Sequence, residues 1–330
     1  MVESAPSVSL RARNREKAAS SIRSPSNNPF TRQPRSTGME WQTDWGLRAR
    51  MILTMFLLFA LYIVFVAVMT QTRFFGIAIL GMGVFLLGQF FFSDKLALYS
   101  MGAREVEPDE YPELHRSIER LSQQADLPKP TVAVADSRVP NAFATGRSKK
   151  SSAVCVTTGI METLDQEELE GVLAHELAHI KNRDVMVMTI ASFLSTIAFL
   201  VVRWGWLFSG GRDRGGNGGA PVLVAILVSL VVWIVSFLLI RALSRYREYA
   251  ADRGGASITG NPSALATALM KIDGRMDKVP KEDMRDQAEM NAFFIIPIKS
   301  GFVGKLFSTH PSTEQRIDRL QDLERELEQR

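Results

Sequence analysis

The sequence predicts a mainly α-helical membrane protein with one small β-sheet, its globular part interrupted by a membrane hairpin. Three observations carry that prediction. Four uncharged apolar stretches, Met51–Thr70, Phe74–Phe92, Val185–Val202 and Pro221–Ile240, each approach the roughly 20 residues a helix needs to cross a bilayer core. The segments 93–184 and 241–330 leave the material of one ordinary domain outside them. Short β-rich runs lie in the first of those segments, and helical periodicity dominates the rest. A mean hydropathy of +0.02 over 330 residues, 46% of them hydrophobic, hides this segregation.

Residues 1–48 are rich in Ser, Pro and Arg, and the first fifty positions carry nine Lys/Arg against four Asp/Glu. They read as a flexible basic tail, and positive charge before a first span keeps that side cytoplasmic. Residues 49–92 form a transmembrane hairpin. Its first run is uniformly apolar, its second carries Gly76, Gly81, Gly83 and Gly88 for close packing in lipid, and only Gln71-Thr72-Arg73 joins them.

Residues 93–184 open with a helix striped by Tyr111, Leu114, Ile118 and Leu121 and ended by Leu127-Pro128. Strands follow at Thr131–Ala135, Asn141–Thr145 and Ser152–Thr157, the last two joined as a hairpin by the basic turn Gly146–Lys150. A long helix then starts near Thr163, with Asp165, Glu167 and Glu168 at its positive end, and runs on towards the third apolar stretch.

Residues 185–240 form a second hydrophobic hairpin through the glycine-rich link Gly210–Gly219. Residues 241–330 continue helical through Ala251, restart near Asn261-Pro262, and close with a charged helix over Pro311–Arg330 striped by Ile317, Leu320, Leu323 and Leu327. The run Ala292–Ile298 is too short to span; it reads as core, or as a flap on the membrane surface. The two hairpins return both termini and both globular segments to the cytoplasmic side.

The net charge of +4 and pI near 9.2 owe most to the tail, which suits anionic lipid headgroups and gives no nucleic-acid signal. A single cysteine, Cys155, excludes an intramolecular disulfide and fits a reducing compartment. The first apolar run lies too far into the chain for a cleaved secretory signal.

The chemistry concentrates in His175-Glu176-Leu177-Ala178-His179. Two histidines four apart on a helix face one way and can share a metal ion, and the intervening glutamate is placed to take a proton from water. A catalytic zinc takes three protein ligands, so a third must lie elsewhere. Glu248 is the best candidate, with Asp252 one turn on to accept the spare N–H of a ligating histidine. A tetrahedral oxyanion needs a further donor, and of the four histidines in the chain His310 is the obvious one. His115 and Cys155 read as structural.

With these residues in view, the chain resembles the HtpX-type membrane metalloproteases, relatives of the CAAX prenyl proteases. The resemblance rests on Asn141-Ala142-Phe143-Ala144-Thr145-Gly146, the His175–His179 helix, Arg247-Glu248-Tyr249-Ala250-Ala251-Asp252, and Ser308-Thr309-His310-Pro311 followed by Arg316-Ile317. It implies a gluzincin-like protease domain with one zinc per chain on His175, His179 and Glu248, and Glu176 as general base. It implies that Asn141, Ala142, Phe143 and Ala144 form an edge strand binding substrate backbone, and that His310 stabilises the transition state. The implied role is quality control, the cleavage of damaged or misfolded membrane and cytoplasmic polypeptides at the cytoplasmic face under stress. Two other readings stand beside it: a CAAX-type processing enzyme, and a non-catalytic assembly factor or transporter subunit. The absence of ionisable residues in the four runs disfavours the transporter.

Overall fold

In the computed structural model, residues 44–70, 75–209, 219–276, 278, 295–296 and 311–329 are described. The tail up to residue 43, residues 210–218 of the glycine-rich link, His310, and all of the Ala292–Ile298 run but Ile295 and Ile296 lie outside them.

Helix α1, Trp45–Met69, begins where the Asp44 carboxylate accepts the Leu47 amide at 2.9 Å, and α2 covers Phe75–Ser100. Strand β1, Ala103–Glu105, leads into helix α3, Pro112–Gln124, whose buried stripe includes Leu114, Ile118 and Leu121. Strands β2 (Thr131–Ala135), β3 (Ala142–Ser148) and β4 (Ser151–Thr157) complete a sheet in the order β1-β2-β4-β3. β2 and β4 run parallel, while β1 and β3 are the antiparallel edges. The sequence did not mark β1, because three residues are too few to show alternation.

The β3–β4 hairpin is bulged between Gly146 and Ser148. Gly146 has φ +131, and a β-carbon there would lie 2.2 Å from the Ser151 carbonyl oxygen, so only glycine fits the bend.

A short helix α4, Thr158–Thr163, separates the sheet from helix α5, Gln166–Asn182. The α5 start is a capping box: Asp165 accepts the Glu168 amide and Glu168 accepts the Asp165 amide. The expected continuous run into the third apolar stretch is broken. Arg183 adopts a left-handed conformation with φ 58, and helix α6, Asp184–Ser209, restarts at once.

Helix α7, Gly219–Thr259, carries the fourth apolar run straight on into the globular part without interruption. Helices α8, Pro262–Met276, and α9, Thr313–Glu328, pack against each other and close the domain.

Among the described residues three helical segments are long and apolar enough to cross a bilayer: Trp45–Met69, Asp184–Arg203 and Leu223–Thr259. They meet through Leu58, Tyr62, Phe65, Ala191, Ala198 and Val232. They turn Ile52, Phe56, Phe59, Leu227, Val231 and Leu238 outwards, the apolar exterior expected in lipid. A separate core joins the sheet to α3, α5 and α8 around Ile118, Val154, Leu173 and Leu269. Ile295 and Ile296 are buried in that core, as the core reading expects of these two residues.

Candidate metal centre

Helix α5 presents His175 and His179 one turn apart, their rings edge to face and their Nε2 atoms 3.1 Å apart. Glu248 comes from α7, which crosses α5 closely. A β-carbon on Gly255 would stand 2.9 Å from the His175 amide nitrogen, so this glycine lets the two backbones meet. The Glu248 carboxylate oxygens lie 3.6 Å from His175 Nε2 and 3.7 Å from His179 Nε2. Zinc holds nitrogen and oxygen ligands at about 2.0–2.2 Å, and tetrahedral donors at that radius stand roughly 3.3–3.6 Å from one another. The three donors therefore fit one ion.

The outer nitrogens are oriented as well. His175 Nδ1 lies 3.0 Å from Asp252, and His179 Nδ1 lies 2.5 Å from Asp184. In these contacts each Nδ1–H donates to a carboxylate oxygen, which turns both Nε2 lone pairs towards Glu248. Donors so close require a positive charge among them. Burial opposes a proton on His175, but hydrogen bonding to Asp252 and Glu248 outweighs it and raises its pKa to about 9. A metal ion held by these donors would take the place of that proton.

Arg316 closes the outer ring. Its buried guanidinium donates to both Asp252 oxygens, at 2.9 and 2.6 Å, and to the Ile295 carbonyl at 2.9 Å. Burial works against its charge, but Asp252, and then Glu248 and Glu176, keep it firmly protonated. Arg247 makes the matching contact to Asp184 at 3.1 Å.

Glu176 is buried beside the histidines, and burial raises its pKa above the ordinary glutamate value. Its Oε2 accepts the Ala144 amide of β3 at 2.8 Å. The Ala144 N–H thus points away from β4, on the free edge of the sheet. Asn141 is buried at the start of this strand; its carbonyl accepts the Thr157 amide and its Oδ1 accepts the Ile295 amide. Ala142 and Phe143 are buried beside it.

The pattern is a helix with two histidines, a distant carboxylate, and a buried glutamate beside a sheet edge. Residues 108–324 match peptidase family M48. The chain belongs to this family. A relative in Moorella thermoacetica, described as a protease HtpX homolog, is 54% identical over 297 residues, covering 87% of this chain and 98% of its own. Protease HtpX homolog 2 of Methanosarcina acetivorans is 54% identical over 292 residues, 87% of this chain and 99% of the relative. Protease HtpX homolog 1 of Streptomyces coelicolor is 47% identical, over 87% and 96% of the two chains. The crystal structure of Ste24p from S. mikatae shares the fold, with a TM-score of 0.50 and 18% identity over 83% of this chain and 66% of that one. As an M48 member of HtpX type with apolar helices of spanning length, the chain is a membrane metallopeptidase.

The structure brings His175, His179, Glu248, Asp252, Glu176 and Ala144 together; His310 lies outside the described residues. Sequence reasoning gives Arg316 no role beyond its place in the family resemblance, and for Asp184, five residues after His179, it leaves open whether the side chain orients the helix end or is solvated. Arg316 carried one signal: it falls on the same face as Leu320 and Leu323, a charge where that helix buries apolar residues. His115 is held by its Nε2 contact to the Val106 carbonyl at 3.0 Å, and Cys155 is buried in β4 with its thiol pKa raised to about 12.

Proposed function

We propose that the protein is a zinc-dependent endopeptidase that holds one zinc on His175, His179 and Glu248. It hydrolyses peptide bonds of damaged or misfolded polypeptides, membrane proteins above all, at the cytoplasmic face. The observation that carries this reading is the convergence of three donor atoms beside a buried glutamate that itself touches a free sheet edge. Zinc bound there supplies Lewis acidity, lowering the pKa of water and polarising a carbonyl.

The chain's own residues do the rest. Glu176 takes the proton of the attacking water and passes it to the departing amine. Asp252 and Asp184 hold the imidazoles in the tautomer that directs Nε2 inwards. The strand Asn141–Ala144 accepts an extended substrate through main-chain bonds, which need no particular sequence and suit misfolded chains. When a peptide pairs there it competes with Glu176 for the Ala144 amide, freeing the carboxylate as substrate arrives. His310 is the proposed oxyanion donor. The basic N-terminal segment supports a multi-pass arrangement with both termini and the active site in the cytoplasm.

The test is purified wild type beside Glu176→Gln in detergent, with bound zinc from elemental analysis and cleavage of an unfolded membrane protein followed with and without chelator. The wild type is expected to hold one zinc and cleave until the metal is removed. Glu176→Gln is expected to hold zinc while losing at least a hundredfold in rate, the usual scale of a general base. Undiminished turnover by Glu176→Gln would sink the mechanism.

A further inference from the structure

On three separate elements only a short length of chain separates the metal-centre residues from the apolar runs or from helix α2, and each length bounds the height of the centre above them. On α7, eight residues lead from Ile240, the last of the fourth apolar run, to Glu248, which is about 12 Å of helix. Between His179 and Val185, where the third apolar run begins, six residues span at most about 9 Å of helical rise. On β3, three residues lead from Ala144, against Glu176, to Arg147, which is about 10 Å of strand.

Arg147 is tied to the membrane-side helix α2. Its Nη1 donates to the Phe91 carbonyl at 2.9 Å, and its guanidinium lies 5.6 Å from the centroid of the Phe91 ring. Phe91 stands near the end of the uncharged stretch of α2, with Lys95 one turn beyond. The bulge at Gly146 bends the hairpin tip, which carries Arg147, Lys149 and Lys150. Positive charge at that level fits anionic lipid headgroups.

From these heights, and resting on the endopeptidase reading, we propose that the fold is a ruler. Its substrate is a membrane-anchored polypeptide, cut in the extended segment just outside its own span. A strand laid along β3 from Ala144 towards Arg147 descends to the headgroups in about three residues, and crossing the headgroup layer adds up to about three more. The scissile bond therefore lies roughly three to six residues from the end of the substrate's apolar span. The span itself stays helical, since unwinding it would leave backbone groups unsatisfied in lipid.

The experiment places the wild-type enzyme in phosphatidylglycerol-containing nanodiscs with single-span substrates. Their juxtamembrane segments are unstructured and scrambled in sequence, and they are lengthened one residue at a time at the membrane end. Cut bonds are mapped by mass spectrometry, with an unanchored unstructured peptide alongside. The cut is expected to keep its distance from the span and so to move through the sequence as residues are added. Arg147→Glu is expected to spread the cuts over several neighbouring bonds, and Arg147→Lys to retain the window. Cuts that follow particular residues, or scatter along the segment in the wild type, overturn the ruler while leaving the endopeptidase intact. Failure to cut any substrate, the unanchored peptide included, overturns the endopeptidase reading and the ruler with it.

Discussion

Asp252 serves two partners at once, orienting His175 through Nδ1 and binding Arg316 through both oxygens. Its two contacts predict separable losses. In Asp252→Asn the tautomer and basicity of His175 are no longer set by a carboxylate, and zinc affinity should fall about ten- to a hundredfold; competition with a calibrated chelator measures this. In Arg316→Met the Asp252 carboxylate is left buried without its cation, which should cost about 3–5 kcal/mol of stability, read from chemical unfolding in mild detergent. Unchanged stability would show that Asp252 finds its charge balance elsewhere. The two histidines were legible because helical geometry makes a spacing of four a spatial statement. Glu248 was legible only as a carboxylate with Asp252 one turn on. The role of Arg316 was not, because it depends on a packing of α9 against α7 and α8 that no local pattern encodes, and a charged terminal helix reads as solvated.

At the scale of elements, α5 is fastened to its neighbours by polar ties as well as by core. Glu170 on α5 pairs with Arg120 on α3 and accepts from Ser117 and Gln166. Burial pushes the Glu170 pKa up, but these hydrogen bonds outweigh it and the net shift is downward. Folding thus favours the charged form, so its stabilisation is complete above the ordinary value near 4.5 and is lost as pH falls through the folded value. The Arg120 end is half exposed, so the effect is modest and weakened by salt. Wild type should exceed Glu170→Gln in thermal midpoint at about pH 6, and the gap should close towards about pH 3; a gap that persists in acid would assign it to packing. Strands β2–β4 and helices α3 and α5 were legible from alternation and caps, whereas β1 and the short helix α4 were not. The break at Arg183 was not, because a non-glycine residue in the left-handed region carries no sequence mark. The structure supplies its reason: the turn sets Asp184 against His179 and Arg247.

At the scale of the molecule, one helix joins the apolar, outward-facing part to the candidate metal centre. The four apolar runs were plain in the sequence, and so was a helix continuing beyond the last of them through Glu248 to Ala251; its unbroken extension through Asp252 to Thr259 was not. One half of α7 packs on α1 and α6, and the other packs on α5 beneath the histidines. Helical phase must satisfy both, and one added residue turns everything beyond it by about 100° while raising it about 1.5 Å. A single alanine inserted after Arg241 should therefore remove Glu248 from the histidines, or turn Val232 and Ala225 out of their contacts. The expected result is loss of stoichiometric zinc, or a lowered thermal midpoint, with helix content little changed. The same alanine placed in the glycine-rich link Gly210–Gly219, which the sequence predicts as a loop, should be tolerated. If the Arg241 insertion kept full zinc and full stability, α7 would have to hinge between its halves. The membrane would then no longer fix the position of the third ligand.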